Sequence, residues 1–258
     1  MPLPLPAVGR PGKVACVKAP PATSTDTLLG GKLRLRQPRT GYRINIDSVL
    51  LVGFAGDRRV ERALDLGAGV GALGLLALAL GLTRHVVLIE ADPKLAQLAR
   101  ENLALGGFSG EVREHDLARA RVGETGVPLV LCNPPYYPTP SHRPAQTPAK
   151  ASARSGDVAP FLRAAAAVLA RKTGRALFSY PASLLPELLA AAHACRLVAK
   201  RLRLVHAREG EPARLVLVEL RAARPGGLVV EPPLIEWSGK ARSPELVRLS
   251  GDRASDRK

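Results

Sequence analysis

The apolar run Leu129-Val130-Leu131-Cys132 ends abruptly in Asn133-Pro134-Pro135-Tyr136, and this is where the chain is best equipped for chemistry. Four apolar residues bounded by turn signals fit a buried strand. The two prolines end it, because neither donates a backbone hydrogen bond and each fixes φ. A residue that precedes proline is driven toward an extended conformation. The Asn133 amide and nearby carbonyls can therefore project from the strand's carboxyl end, where open α/β sheets bind their ligands. An amide oxygen and a backbone carbonyl aimed into one crevice form paired acceptors for an NH2 group, and Tyr136 offers a flat face to a planar substrate. The competing reading is a plain strand end with a packed tyrosine. A cofactor site upstream is what separates the two.

Such a site is present in outline. Arg62-Ala63-Leu64-Asp65-Leu66 reads as a short buried strand, and Gly67-Ala68-Gly69-Val70-Gly71-Ala72-Leu73-Gly74 as a glycine-rich turn opening an apolar helix. Glycines there permit a tight turn and let a ligand approach the backbone where a Cβ would intrude. Gly69, Gly71 and Gly74 also satisfy the GxGxxG spacing, so a nicotinamide or flavin site competes at this point. The second strand, Val86-Val87-Leu88-Ile89-Glu90, ends in a carboxylate placed to accept from both ribose hydroxyls of an adenosine. A third strand around Val112 to His115 ends at Asp116, whose carboxylate could accept the adenine amino group of such a cofactor. Each acid alone could be a surface cap, but three acids at three successive strand ends argue for a site.

Other elements must hold these residues in place. Lys32-Leu33-Arg34-Leu35-Arg36-Gln37 alternates as a half-exposed strand does, and with Asp26 to Gly31 it predicts a small hairpin. With a helix-like segment from Ser48 to Ala55, the hairpin is expected to lie across the mouth of the following domain, and Asp47 fits that helix's N-cap. Asp92-Pro93 starts a helix in which Leu95, Leu98, Ala99, Asn102 and Leu103 recur at helical spacing. Beyond the Asn133 turn come a proline-spaced basic loop to about Gly156, a helix from Phe161 to Ala170 and a strand from Arg175 to Tyr180. A helix from Leu184 to Ala194 follows, then strands Ala199 to Val205 and Leu215 to Leu220 joined by the turn Glu209-Gly210-Glu211-Pro212. The tail carries extended pieces through Leu228-Val229-Val230 and Pro232 to Trp237, with a frayed end over residues 250–258.

Composition narrows the class. A chain of 258 residues can bury a proper core as one large domain. Cys16, Cys132 and Cys195 have no zinc-like or CxxC spacing, so neither a disulfide framework nor a metal site is implied, and a reducing compartment is expected. The apolar run Leu73 to Leu82 is too short to span a bilayer, and the N-terminus has prolines where a signal peptide needs an apolar core. A cytoplasmic protein is expected. A formal net charge of +16 favours a polyanionic partner, nucleic acid first, although an Arg-rich composition alone would produce the same excess. Residues 1–24, rich in proline and Lys/Arg, read as a disordered basic arm. Residues 25–249 read as one domain that includes an N-terminal extension over 25–56.

Taken together, Leu28-Leu29-Gly30-Gly31-Lys32, Gly41-Tyr42-Arg43-Ile44-Asn45-Ile46-Asp47-Ser48, the Asp65 to Gly71 loop and Asn133 to Tyr136 make the sequence resemble a class I methyltransferase family. Members of that family N6-methylate the adenine beside the anticodon of a valine tRNA. The first two blocks are the specific part; the other two occur across many methyltransferases. The resemblance runs from about Asp26 to the Trp237 region, and departs from the family at Ala153-Arg154-Ser155-Gly156-Asp157, where relatives often carry an Ala-Arg-aromatic-Glu-like stretch. It implies a Rossmann-like, seven-stranded, mostly parallel sheet with a reversed final strand, and S-adenosylmethionine as cofactor. Asp65, Gly67, Gly69 and Gly71 would then cradle the methionine end, Glu90 would bind the ribose, Asp116 the adenine, and Asp47 would neighbour the methyl-donor end. Asn133, Pro134, Pro135 and Tyr136 would seat an extruded adenine of an RNA, expected to be a tRNA, with no metal required. Two other readings stay open: methylation of a glutamine amide in a release factor, and a non-catalytic RNA-binding protein on a methyltransferase fold.

Overall fold

The computed structural model describes residues 23–40, 43–119, 121–135, 157–222 and 226–251. Of the basic arm expected over residues 1–24, Thr23 and Ser24 belong to a strand, and residues 1–22, Gly41 and Tyr42, Tyr136, the basic loop through residue 156 and the tail from residue 252 lie outside the described residues.

A two-stranded antiparallel hairpin, β1 (Thr23–Leu28) and β2 (Leu33–Pro38), opens the fold and precedes helix α1 (Ile46–Phe54). Leu33, Leu35 and Gln37 of β2 face inward and Arg34 and Arg36 outward, as the alternation requires. Then follow β3 (Val60–Leu66), α2 (Ala72–Ala79), β4 (Thr83–Glu90), α3 (Pro93–Gly106), β5 (Gly110–Glu114) and β6 (Leu129–Cys132). After these come α4 (Ala159–Val168), β7 (Arg175–Pro181), α5 (Leu185–Ala194), β8 (Leu197–Arg208) and β9 (Ala213–Ala222). The chain closes with β10 (Val229–Val230), β11 (Leu234–Ser238), β12 (Ala241–Arg242) and α6 (Pro244–Ser250).

The main sheet runs β12-β11-β8-β9-β7-β6-β3-β4-β5, with β10 beside β8. From β5 to β7 the strands are parallel, and β9 is antiparallel to both β7 and β8. This is the class I methyltransferase arrangement: seven strands from β5 to β8, the last in chain order reversed. The tail widens it beyond the expected seven, because β10 and β11 add parallel to β8 and β12 pairs back on β11.

Two expectations are corrected. Asp47 is not the cap of α1: Asn45 is, its side chain accepting from the Asp47 N–H at 3.1 Å, with the helix starting at Ile46. The chain does not fray from Ser250, since α6 runs to that residue with Ser243 as its N-cap, Pro244 in its first turn and Gly251 at its C-terminus. Gly251 and Gly30 meet there: a Cβ on Gly30 would lie 2.7 Å from the Gly251 carbonyl oxygen. That close approach calls for glycine at position 30, whereas Gly31 is set by its φ of +102°.

Helices cover both faces of the sheet. One face packs on α1, α2, α3 and α6 through residues that include Ala63, Val86, Leu88, Leu129, Leu131 and Leu177. The other packs on α4 and α5 through Leu64, Val87, Ile89, Val130, Cys132 and Phe178. The hairpin docks on α3 through a buried amide. Asn102 accepts from the Arg36 N–H at 2.7 Å and donates to the Arg36 carbonyl at 2.8 Å, so it imitates a neighbouring strand. The same amide donates to the Val70 carbonyl of the glycine loop at 2.9 Å. Among the described residues no helix is long and apolar enough to cross a membrane.

Candidate active site

Strand periodicity brings the site together. Side chains alternate between faces, and Ala63, Val86 and Leu88, Leu131, and Leu177 all face the α1–α2–α3 layer. Asp65, Glu90, Asn133 and Ser179 follow them by an even number of residues, so all four project to that layer from the carboxyl ends of β3, β4, β6 and β7.

Asp65 is buried and accepts from the Gly74 N–H at 2.9 Å, tying the end of β3 to the first turn of α2. Glu90 spans the neighbouring loops: one oxygen accepts from the Gly69 N–H at 2.7 Å and the other from the Asp92 N–H at 2.8 Å. Each carboxylate oxygen has a second lone pair, so Glu90 can hold the glycine loop and still accept from a pair of vicinal hydroxyls. Gly69 adopts φ +58°, a left-handed conformation that side chains with a Cβ tolerate poorly. Gly67 and Gly71 answer to the protein's own packing. A Cβ on Gly67 would lie 2.8 Å from Phe161, and one on Gly71 would lie 2.9 Å from Leu88. Gly74 is similar, with Leu88 2.5 Å from its Cβ position, and so brings α2 close to the sheet.

Burial pushes the Asp65 carboxyl up to about 7 from an ordinary 3.8; the Gly74 N–H opposes the rise and the Glu90 charge adds to it. Burial likewise raises Glu90, against the N–H groups of Asp92, Gly69 and Ala91. A carboxyl raised on folding favours the native state most when protonated, so the Asp65 contribution is full below about pH 4 and is lost as pH rises through about 7. Asp65→Asn keeps an oxygen for Gly74 and removes the charge. It should flatten this part of the profile, seen as melting temperature followed by circular dichroism from about pH 4 to pH 8. An unchanged slope would show that Asp65 does not titrate there.

Asp116 lies just past β5, with one oxygen accepting from the Ala118 N–H at 2.9 Å and the other 3.1 Å from Arg119. This is the turn-capping geometry that competes with a nucleotide role, although the carboxylate is substantially exposed. Asp47 belongs to a second cluster of side chains. Its carboxylate is buried, 2.8 Å from Arg214 and 2.9 Å from the Asn45 amide. Arg214 also makes a two-pronged pair with buried Glu236, and the three side chains line a cavity of about 380 Å³ with Asn45, Trp237 and Arg242. Sequence reading missed Arg214 and Glu236, which lie far apart in the chain and carry no local signal.

At the acceptor end, Asn133 is the first residue past β6 and is partly exposed, Pro134 is buried and Pro135 exposed. Ser179 donates to the Asn133 side-chain oxygen at 2.8 Å. Tyr136, the expected stacking residue, lies outside the described residues. Among the described residues no group of three or more His, Cys, Asp or Glu could hold a metal ion. The donor set fits an adenosine-bearing cofactor: a left-handed glycine loop after β3, a carboxylate with two accepting oxygens at the end of β4, and an amide acceptor past β6, the strand beside β3.

Residues 42–151 match the methyltransferase small domain family. A tRNA1(Val) (adenine(37)-N6)-methyltransferase of Porphyromonas gingivalis is 27% identical over 242 residues, covering 88% of this chain and 94% of its own length. A release factor glutamine methyltransferase of Deinococcus radiodurans is 40% identical over 84 residues, 32% of this chain and 30% of that protein. In structure the chain is similar to an Agrobacterium tumefaciens protein described as a predicted O-methyltransferase, with TM-score 0.64 and 27% identity over 79% of this chain and 94% of that one.

Proposed function

We propose that this chain, which has the class I methyltransferase fold, transfers the methyl group of S-adenosylmethionine to the N6 amino group of an adenine in RNA, the adenine beside the anticodon of a tRNA. The observation that carries this reading is the Asn133 amide, held at the end of β6 on the same face as Asp65 and Glu90. Similarity to the Porphyromonas gingivalis tRNA enzyme, spanning most of both chains, favours a nucleic-acid acceptor, and the net charge of +16 agrees with one.

S-adenosylmethionine, when bound, supplies a methyl group made electrophilic by the adjacent sulfonium. Asp65 and the loop of Gly67, Gly69 and Gly71 would hold its methionine end, Glu90 its ribose hydroxyls and Asp116 its adenine, with Asp47 near the methyl-donor end. The Asn133 oxygen and the Pro134 carbonyl would each accept an N–H of the target amino group. A base amino nitrogen is a poor nucleophile while its lone pair is shared with the ring. Two acceptors orient it and favour the positive charge that develops as the new N–C bond forms and the methyl–sulfur bond of the sulfonium breaks to leave a neutral thioether. The surplus proton then leaves to solvent. Chemistry on a base edge requires the base to be extruded from its stack, and Tyr136 is assigned the stacking face. The same crevice would accept a glutamine side-chain amide, and the local identity to the Deinococcus radiodurans enzyme favours that as the second reading.

Tritiated methyl transfer to separated tRNA, rRNA and protein fractions tests the proposal, and label is expected in tRNA. RNA affinity should fall with salt, with a slope of roughly −0.7 per phosphate contact on a single strand. Replacing Arg143, Lys150 and Arg154 together should flatten that slope. Label confined to a release factor glutamine, with the triple variant unaffected, would put the glutamine reading in its place. A protein that binds S-adenosylmethionine and labels nothing would fit the non-catalytic reading.

A further inference from the structure

We infer that Ser179 is a positioning residue for the acceptor amide, a role that rests on the reading of Asn133 given above. Cys132 of β6 pairs with Phe178 of β7, so the next residues, Asn133 and Ser179, stand opposite one another across the two strands. Ser179 is fully buried inside an otherwise apolar stretch, Ala176-Leu177-Phe178-Ser179-Tyr180. Its hydroxyl donates to the Asn133 side-chain oxygen at 2.8 Å.

The terminal torsion of an asparagine side chain is broad, so packing alone holds the amide plane weakly. A hydrogen bond from a rigid interior strand fixes that plane, and it occupies one lone pair of the oxygen while the second stays available to an incoming N–H. Without Ser179 the amide can turn over and present its two N–H donors to the crevice. An amino group that needs an acceptor would then meet donors, which also fails to stabilise positive charge on nitrogen. Ser179 thus supports the acceptor geometry from behind, without touching substrate. The hydroxyl sits on β7 and the cofactor residues on β3 and β4, two and three strands away, so its loss should leave cofactor binding alone.

The test is a double-mutant cycle on Ser179→Ala and Asn133→Ala in the full chain, assayed on whichever acceptor fraction the wild type labels. S-adenosylmethionine affinity is measured by calorimetry and melting temperature is recorded alongside. Ser179→Ala is expected to lower kcat roughly tenfold, less than the 100-fold that a full misplacement can cost, with cofactor affinity unchanged. Added to Asn133→Ala it should cost nothing further, because a residue acting only through Asn133 has nothing left to position. Ser179→Cys keeps the bulk and weakens the donor, so it should fall between. It carries the comparison if the alanine variant melts below the assay temperature. Full activity in both variants overturns the assignment, as does a loss that multiplies with that of Asn133→Ala. If Asn133→Ala itself keeps wild-type turnover, or the wild type labels no fraction, the acceptor reading falls and Ser179 with it. If Asn133→Ala is crippled and Ser179→Ala is not, only Ser179 falls.

Discussion

Asn133→Ala is expected to lower turnover by roughly 100-fold or more, the scale for deleting a polar group that stabilises a transition state, while S-adenosylmethionine affinity hardly changes. The contrast follows from where the residue stands. Asn133 lies beyond β6 and bonds to Ser179, whereas the glycine loop is held by Glu90 and Asp65 through Gly69 and Gly74. Some stability will be lost as well, because the Ser179 hydroxyl is left buried without this partner, at a cost of about 1–3 kcal/mol. Single-turnover rates and calorimetric titrations on the same preparation separate the two effects. Cofactor affinity that falls in parallel with turnover would make Asn133 a folding residue and return the Asn-Pro-Pro turn to a plain strand end.

The second large effect is expected at Gly69. Gly69→Val places a β-branched residue at φ +58° and disturbs the N–H that reaches Glu90 at 2.7 Å. A left-handed conformation costs such a residue about 1–3 kcal/mol, which a domain of this size should survive. Its side chain, however, would compete for the space assigned to the cofactor beside the loop. Binding of S-adenosylmethionine should therefore drop below detection while the circular dichroism spectrum stays native. Gly74 would behave differently, since its Cβ would collide with Leu88 and Val86 inside the protein. Wild-type calorimetric affinity in Gly69→Val would place the cofactor elsewhere. Tight NADH binding by the wild type, with no response to S-adenosylmethionine, would favour the nicotinamide reading that the GxGxxG spacing left open.

What the sequence could reveal depended on how locally each feature is encoded. The strand before Asn133, the Gly67 to Gly74 turn and the carboxylate of Glu90 announce themselves within a few residues, through apolar runs, glycines and proline. The start of α1 was misread because two cap-forming residues, Asn45 and Asp47, flank Ile46, and either suits the role on residue type. Helix α6 was missed although its signals are complete: Ser243 and Pro244 at the start, Glu245 in the first turn, Gly251 at the end. The surrounding charge hid them. Other features have no local signature. The bond from Ser179 to Asn133 joins residues 46 apart, and that from Arg214 to Asp47 joins residues 167 apart. Nor does an apolar run such as Leu234-Ile235 state which strand it will pair with. Its place beside β8 depends on that strand's far edge being open.

The meeting of Gly30 with Gly251 bears on how the protein is cut for expression. A boundary drawn where the tail turns charged, just before Ser243, would leave the hairpin's turn facing solvent where it now rests on the last helix. The damage would then show at the opposite end of the sequence, in the hairpin that shares the Asn102 amide with the glycine loop. Shortened versions should be trimmed after Gly251 and before Thr23, and the two ends of the fold treated as one unit.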